Sequence, residues 1–215
     1  MKRLRRWIDG IKFRLREKNR VVGWNMNPDE VGAFFSKREE IVLTLLGFSA
    51  SYENEATMLQ RVRETLSGYS PETTLVNIGA TTGGIGAAYP LAKSLGFTTT
   101  GIVSTLAFDD MRQISEAVDH ICFITDNQWG GKLPDSDELS PTSEAMVTCS
   151  DILVGIGGGE ISRDEMLAGQ EQGKPVYFYQ AQVNHEWAIQ NAEKSGLPKP
   201  ESFWGAAHEV FGKKG

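Results

Sequence analysis

The chain has 215 residues, 40% hydrophobic and 23% charged, a length and balance that suit one soluble domain with a sizeable core. Its 22 Lys and Arg against 28 Asp and Glu give a formal net charge of −6, which argues against an extended nucleic-acid surface, because affinity for polynucleotide comes mostly from neutralised phosphates. No apolar run approaches the roughly 18 residues that span a bilayer, no leader-like apolar stretch opens the chain, and Cys122 and Cys149 are too few for a disulfide framework, so a cytoplasmic protein with reduced thiols is expected.

Residues 1 to 20 hold nine Lys or Arg against Asp9 and Glu17, a segment of about +7 that leaves about −13 on the remainder. Leu4, Trp7, Ile8, Ile11 and Leu15 recur at helical spacing, so a basic amphipathic helix is expected. Its apolar stripe is expected to pack on the acidic body or on a second subunit, which makes a homo-oligomer, such as a dimer, the expected assembly. Contact with an anionic membrane surface is the lesser expectation. Residues 21–39 read as a connector in which Asn27-Pro28-Asp29-Glu30 starts a helix.

From residue 40 strand-like and helix-like patterns alternate. Strands are expected at 41–46, 75–78, 98–103, 120–124, 152–156 and 175–179. Helices are expected at 54–66, 86–95, 109–118, 141–148 and 160–172, with a polar loop at 126–140. Helices of this length between strands imply βαβ crossovers and a parallel sheet. The predicted fold is a doubly wound, mostly parallel, Rossmann-like α/β domain over 40–182, with the basic helix and connector at 1–39. A helical tail at 183–215 is expected to pack on the domain.

Two glycine-rich turns follow apolar strands: Gly79-Ala80-Thr81-Thr82-Gly83-Gly84-Ile85-Gly86 and Gly155-Ile156-Gly157-Gly158-Gly159-Glu160. Residues without side chains let backbone N–H groups close on an anion, and a following helix adds the positive end of its dipole. Ligands of open α/β sheets gather beyond the carboxyl ends of strands. Gly47, Ser49 and Ser51 after the first strand, Gly79, Thr81, Thr82, Gly83 and Gly84 in the first turn, and Gly157, Gly158, Gly159 and Ser162 in the second are therefore the candidate ligand- and phosphate-binding residues. The same glycines would also serve as plain turn residues. His120, His185 and His208 lie too far apart for a local metal site, so no metal is expected, nor any cofactor beyond a nucleotide ligand. In the long loop, Trp129-Gly130-Gly131 reads as a mobile segment or as a lid whose indole stacks on a base.

The stretch Gly157-Gly158-Gly159-Glu160-Ile161-Ser162-Arg163-Asp164-Glu165, after the strand Ile152-Leu153-Val154, resembles the Pro-Gly-Gly-x-Gly-Thr-x-x-Glu motif of the LOG-type (lysine-decarboxylase-like) phosphoribohydrolases and DprA-type proteins of the Rossmann-like SLOG superfamily. Gly158, Gly159, Ser162 and Glu165 fall on motif positions, Gly157 replaces the Pro, and Ile161 replaces the third Gly. The resemblance implies a nucleotide-binding fold and places Glu165 as the catalytic carboxylate at an N-glycosidic bond. It also implies an Arg-Lys pair on the preceding helix, where this chain has Thr142 and Ser143. Loss of that cation favours a binding or sensing module for a nucleotide-derived molecule over a nucleotide N-glycosidase. A third reading, an NAD(P)-dependent oxidoreductase, rests on Gly79 to Gly86 and on Tyr89-Pro90-Leu91-Ala92-Lys93, which is similar to a short-chain dehydrogenase Tyr-x-x-x-Lys. Here, however, the pair falls inside the helix that the glycine loop opens.

Overall fold

The computed structural model describes residues 5–8, 11–16 and 20–212, with side chains from residue 21 onward. The chain opens with strands β1 (Arg5–Ile8) and β2 (Ile11–Arg16), which pair antiparallel with Ile8 opposite Ile11 and Trp7 opposite Lys12. The basic amphipathic helix expected for residues 1–20 is therefore a basic hairpin where it is described; residues 1–4, 9–10 and 17–19 lie outside the described residues. The physical reason is legible afterwards. Ile11-Lys12-Phe13-Arg14-Leu15-Arg16 alternates apolar and basic with period two, and Asp9-Gly10 is the strongest two-residue hairpin signal.

The connector is also partly a strand, β3 (Arg20–Met26), which pairs antiparallel with β2 and parallel with a later strand. Val21, Val22 and Trp24 are good strand formers, yet the run is short and only its neighbours on both sides complete it. Helix α1 (Pro28–Phe35) starts where the sequence places it: Asn27 Oδ1 accepts the Glu30 N–H at 2.9 Å, the Glu30 carboxylate accepts the Asn27 N–H at 3.0 Å, and Pro28 sets the first turn.

The body then alternates as expected: β4 (Ile41–Gly47), α2 (Glu55–Leu66), β5 (Thr74–Ile78), α3 (Ala88–Ser94), β6 (Thr98–Ser104), β7 (His120–Ile124), α4 (Pro141–Cys149), β8 (Ile152–Ile156), α5 (Glu160–Glu171) and β9 (Val176–Tyr179). Helices α6 (His185–Lys194) and α7 (Ala206–Phe211) follow. The helix expected at 109–118 is instead 3-10 turns over Thr105–Gln113, broken at Asp110, whose φ of −144° leaves the helical region. Ser104 Oγ caps the first of these turns at the Leu106 N–H, and Ile114 bridges to Thr81, which ends the segment early.

The strand order is β1-β2-β3-β7-β6-β5-β4-β8-β9, and the seven strands from β3 to β9 are all parallel. This is a Rossmann-like α/β sheet with an antiparallel hairpin on one edge. Succession runs outward from β4 through β5, β6 and β7, then returns to place β8 and β9 on the other side of β4. The reversal makes the crevice between β4 and β8 the topological switch point.

Both faces of the sheet are covered, so central strands read as continuous apolar runs. Leu43, Leu45, Val76 and Ile78 pack against Met58, Val62 and Leu66 of α2, which recur every four residues, and against Ala88, Tyr89 and Ala92 of α3. On the opposite face Val42, Leu46, Leu75 and Leu153 meet α1, α4, α5 and α7. A buried polar chain crosses this second core beneath α4. Thr44 Oγ1 pairs with Ser150 Oγ, Asn77 Nδ2 donates to Thr44 Oγ1 at 3.1 Å, and Thr100 Oγ1 donates to Asn77 Oδ1 at 3.0 Å. Such a chain fixes register, since a one-residue slip would leave each of these groups unpaired.

Candidate functional site

A cleft of about 1120 Å³ lies over the carboxyl ends of β4, β5, β6 and β8, at the switch point. It is large enough for a nucleotide-sized molecule. The loop after β4 contributes Gly47, Phe48 and Ser49. The turn after β5 contributes Gly79, Thr81 and Ile85, and the segment after β6 contributes Leu106, Asp109, Asp110 and Gln113. Helices α4, α5 and α6 close it with Thr142, Met146, Glu165, Trp187 and others, and Trp129 stands at the rim.

Two hydroxyls pin the crevice. Tyr52 donates to the Ile156 carbonyl at 2.7 Å and accepts the Phe48 N–H at 3.1 Å, bridging the end of β8 to the loop after β4. Ser162 donates to the Gly47 carbonyl at 3.0 Å and ties α5 to the same strand end. A Cβ on Gly47 would crowd the Tyr52 hydroxyl and the Ile156 carbonyl, so this glycine is needed for the clamp.

Of the candidate residues, Gly47, Ser49, Gly79, Thr81, Gly159, Ser162 and Glu165 line the cleft together. Ser51, Thr82, Gly83, Gly84, Gly157 and Gly158 do not, each for a local reason. The Ser51 carbonyl takes the Asn184 N–H, and the Thr82 N–H goes to the Gln113 carbonyl. Gly83 donates to Thr81 Oγ1, and Gly84, at φ +56°, lets the turn lie on the carbonyls of Phe48 and Ala50. Gly157, at φ +58°, packs against the Phe48 ring, while Gly158, at φ +129°, packs on Ser162. With the Ile85 and Gly86 N–H groups also bonded to Phe48 and Gly83, the first glycine turn spends most of its donors inside the fold. At the second turn Gly159 has open space where a Cβ would stand, and α5 begins there with the Glu160 carboxylate already at its positive end.

Glu165 is the most unusual group present. It is 3% exposed, and its Oε1 accepts the Ser143 hydroxyl at 2.6 Å. Ser143 Oγ in turn accepts the Gly131 N–H at 2.7 Å, so the 126–140 loop is fastened to this carboxyl. Burial pushes the Glu165 pKa up to about 8; the Ser143 hydrogen bond opposes this and the neighbouring Asp164 adds to it. Among the described residues no Lys or Arg bonds to Glu165. Arg163, next along, is held by Asp164 at 2.9 Å. The dehydrogenase-like pair is spent on structure. Tyr89 is fully buried, accepts the Ala80 N–H and donates to the Thr100 carbonyl, while Lys93 pairs with Asp119 at 2.7 Å.

Asp109, Asp110, Gln113, Met146, Trp187 and Asn191 also line the cleft and carried no signal in the sequence. They reach it from the 3-10 turns and from α4 and α6, and no motif spacing links them. Thr142 and Trp129 were legible only as a departure from a motif and as an aromatic in a loop. Among the described residues no helix is long and apolar enough to cross a membrane, and no cluster of His, Cys, Asp and Glu has the makings of a metal site.

No family model and no curated protein matches the chain. Solved structures with a similar chain path include the Moco carrier protein from Chlamydomonas reinhardtii, at 20% identity over 73% of this chain and 85% of that one, with a TM-score of 0.47. The structural-genomics target TM1055 is similar at 18% identity over 63% and 72%, with a TM-score of 0.44. DNA processing protein A from Streptococcus pneumoniae is similar at 13% identity over 83% and 62%, with a TM-score of 0.47. The Rossmann-like assignment itself rests on the strand order and crossovers described above.

Proposed function

We propose that the protein binds a nucleotide-derived small molecule in the switch-point cleft and does not cleave it. One observation carries the second half of this reading: Glu165, the carboxylate where glycosidic chemistry would sit, is met by the Ser143 hydroxyl and, among the described residues, by no cation. Departure of a base leaves positive charge on the ribose, and a carboxyl held neutral by burial supplies no countercharge to stabilise it. The adjacent Asp164 is buried against Arg163 and so is already neutralised. Gly159, with open space over its Cα, and the Ser49 and Thr81 side chains offer the ligand contacts.

The same raised pKa supports a second reading, in which Glu165 acts as the general acid of an N-glycosidase and hands its proton to the leaving base. Chromatography separates the two. Purified protein incubated for hours with nucleosides and nucleoside monophosphates is expected to release no free base while one of these compounds raises its melting temperature. At 100 times Kd a ligand adds about 2.7 kcal/mol. Base released by the wild type and not by Glu165→Gln would establish the hydrolase instead.

A further inference from the structure

Among the described residues the cleft is charged in one sense only. Its lining holds the carboxylates of Asp109, Asp110 and Glu160, besides the buried Glu165, and no Lys, Arg or His. The cations beside it are already gripped: Arg112 binds Asp110 through Nε at 2.7 Å and Nη2 at 3.1 Å, and Arg163 binds Asp164. A phosphate entering this space would meet the Asp109 and Glu160 carboxylates across apolar walls that weaken screening. A second observation indicates what the cleft accepts. Thr142 lines it and is 3% exposed, and its Oγ1 is buried with no hydrogen-bond partner among the described residues. An orphaned hydroxyl is a cost that a ligand with a matching polar edge would remove. One residue on, Ser143 occupies only Oε1 of Glu165, and among the described residues no hydrogen bond takes Oε2. Trp129 and Trp187, 58% and 44% exposed, offer indole faces at the rim.

Resting on the binding reading above, we propose that the cleft selects the nucleoside end of its ligand and disfavours phosphate: an uncharged heteroaromatic ring sets its polar edge against Thr142 Oγ1 and Glu165 Oε2. Selectivity then comes from completing a buried hydroxyl and from repelling anions, which is the reverse of a phosphate cradle.

The test is calorimetric titration at low salt with adenosine, AMP and ATP, and with guanosine, GMP and GTP. One nucleoside is expected to bind, its monophosphate about tenfold or more weakly, and its triphosphate more weakly still. The gap should narrow in 0.5 M salt and in Asp109→Asn, which removes one carboxylate and leaves the Asp110–Arg112 pair intact. Thr142→Val, close in volume, should cost the nucleoside about tenfold in affinity while the melting temperature holds or rises. A purely structural Thr142 would leave binding unchanged, and that result overturns the assignment. A monophosphate or triphosphate binding more tightly than its nucleoside overturns the proposal and leaves small-molecule binding standing. No binding by any of the panel overturns both.

Discussion

Glu165 shows how one side chain ties stability to pH. Its folded-state pKa of about 8 stands above the ordinary 4.5, so between those values the folded protein keeps a proton that the unfolded chain has lost. Stability therefore falls as pH rises through this window, and the loss is complete above about 8. His120 works the other way: burial, and next to it Arg38, lower its pKa from 6.5 to about 4, so its contribution is lost as pH falls through that range. Comparison with Glu165→Gln isolates the carboxyl, because both proteins keep His120. The variant is expected to melt near the wild type at pH 5 and clearly above it at pH 9. A melting-temperature difference that does not change across that range would mean that Glu165 is ionised in the folded protein. The sequence placed Glu165 at a motif position but could not give its state. That state depends on Ser143, 22 residues earlier, and on the Gly130-Gly131 backbone laid over both.

At the scale of elements, the two glycine turns looked alike in the sequence and differ in what their glycines do. A strand, a glycine run and a helix were legible because each leaves a local mark: apolar continuity, absent side chains, apolar spacing of four. Which glycine faces a ligand is set by what packs opposite it, and that information is non-local. The turn after β8 allows a paired prediction. Gly158 has φ +129° and a Cβ there would come within 2.6 Å of the Ser162 Cβ, whereas Gly159 has φ −86° and open space. Gly158→Ala should therefore lower stability by about 1–3 kcal/mol through backbone strain, with crowding added. Gly159→Ala should leave the melting temperature within a degree or two and weaken ligand binding. Denaturant melts of both, alongside ligand titration, check this; equal stability losses would show that both glycines are turn residues only.

Across the whole molecule the sequence divides its charge, about +7 on residues 1–20 and about −13 beyond, and the fold puts the basic part on one edge of a nine-stranded sheet. The helical reading of this segment failed because its apolar residues satisfy two periods at once. Trp7, Ile8, Ile11 and Leu15 suit a helix, while Ile11, Phe13 and Leu15 suit a strand, and an edge open for pairing on β3 decides between them. An outer strand containing Arg5 and Arg6 has the composition that natural sheets use to discourage edge-to-edge association. Removing residues 1–19 should then leave β3, with Val21, Val22 and Trp24, as an unguarded edge, and should shift the net charge strongly negative. Two effects oppose each other: like charge keeps molecules apart over about 10 Å at 0.1 M salt, and an open edge joins them on contact. The truncated protein is expected to melt lower than the full chain and to self-associate as salt is raised, by light scattering from 0.05 to 0.5 M. Its ligand affinity should be unchanged, because among the described residues the lining of the cleft runs from residue 45 to residue 191. A truncation that stays monodisperse at high salt with an unaltered melting temperature would show that the hairpin neither stabilises nor guards the sheet.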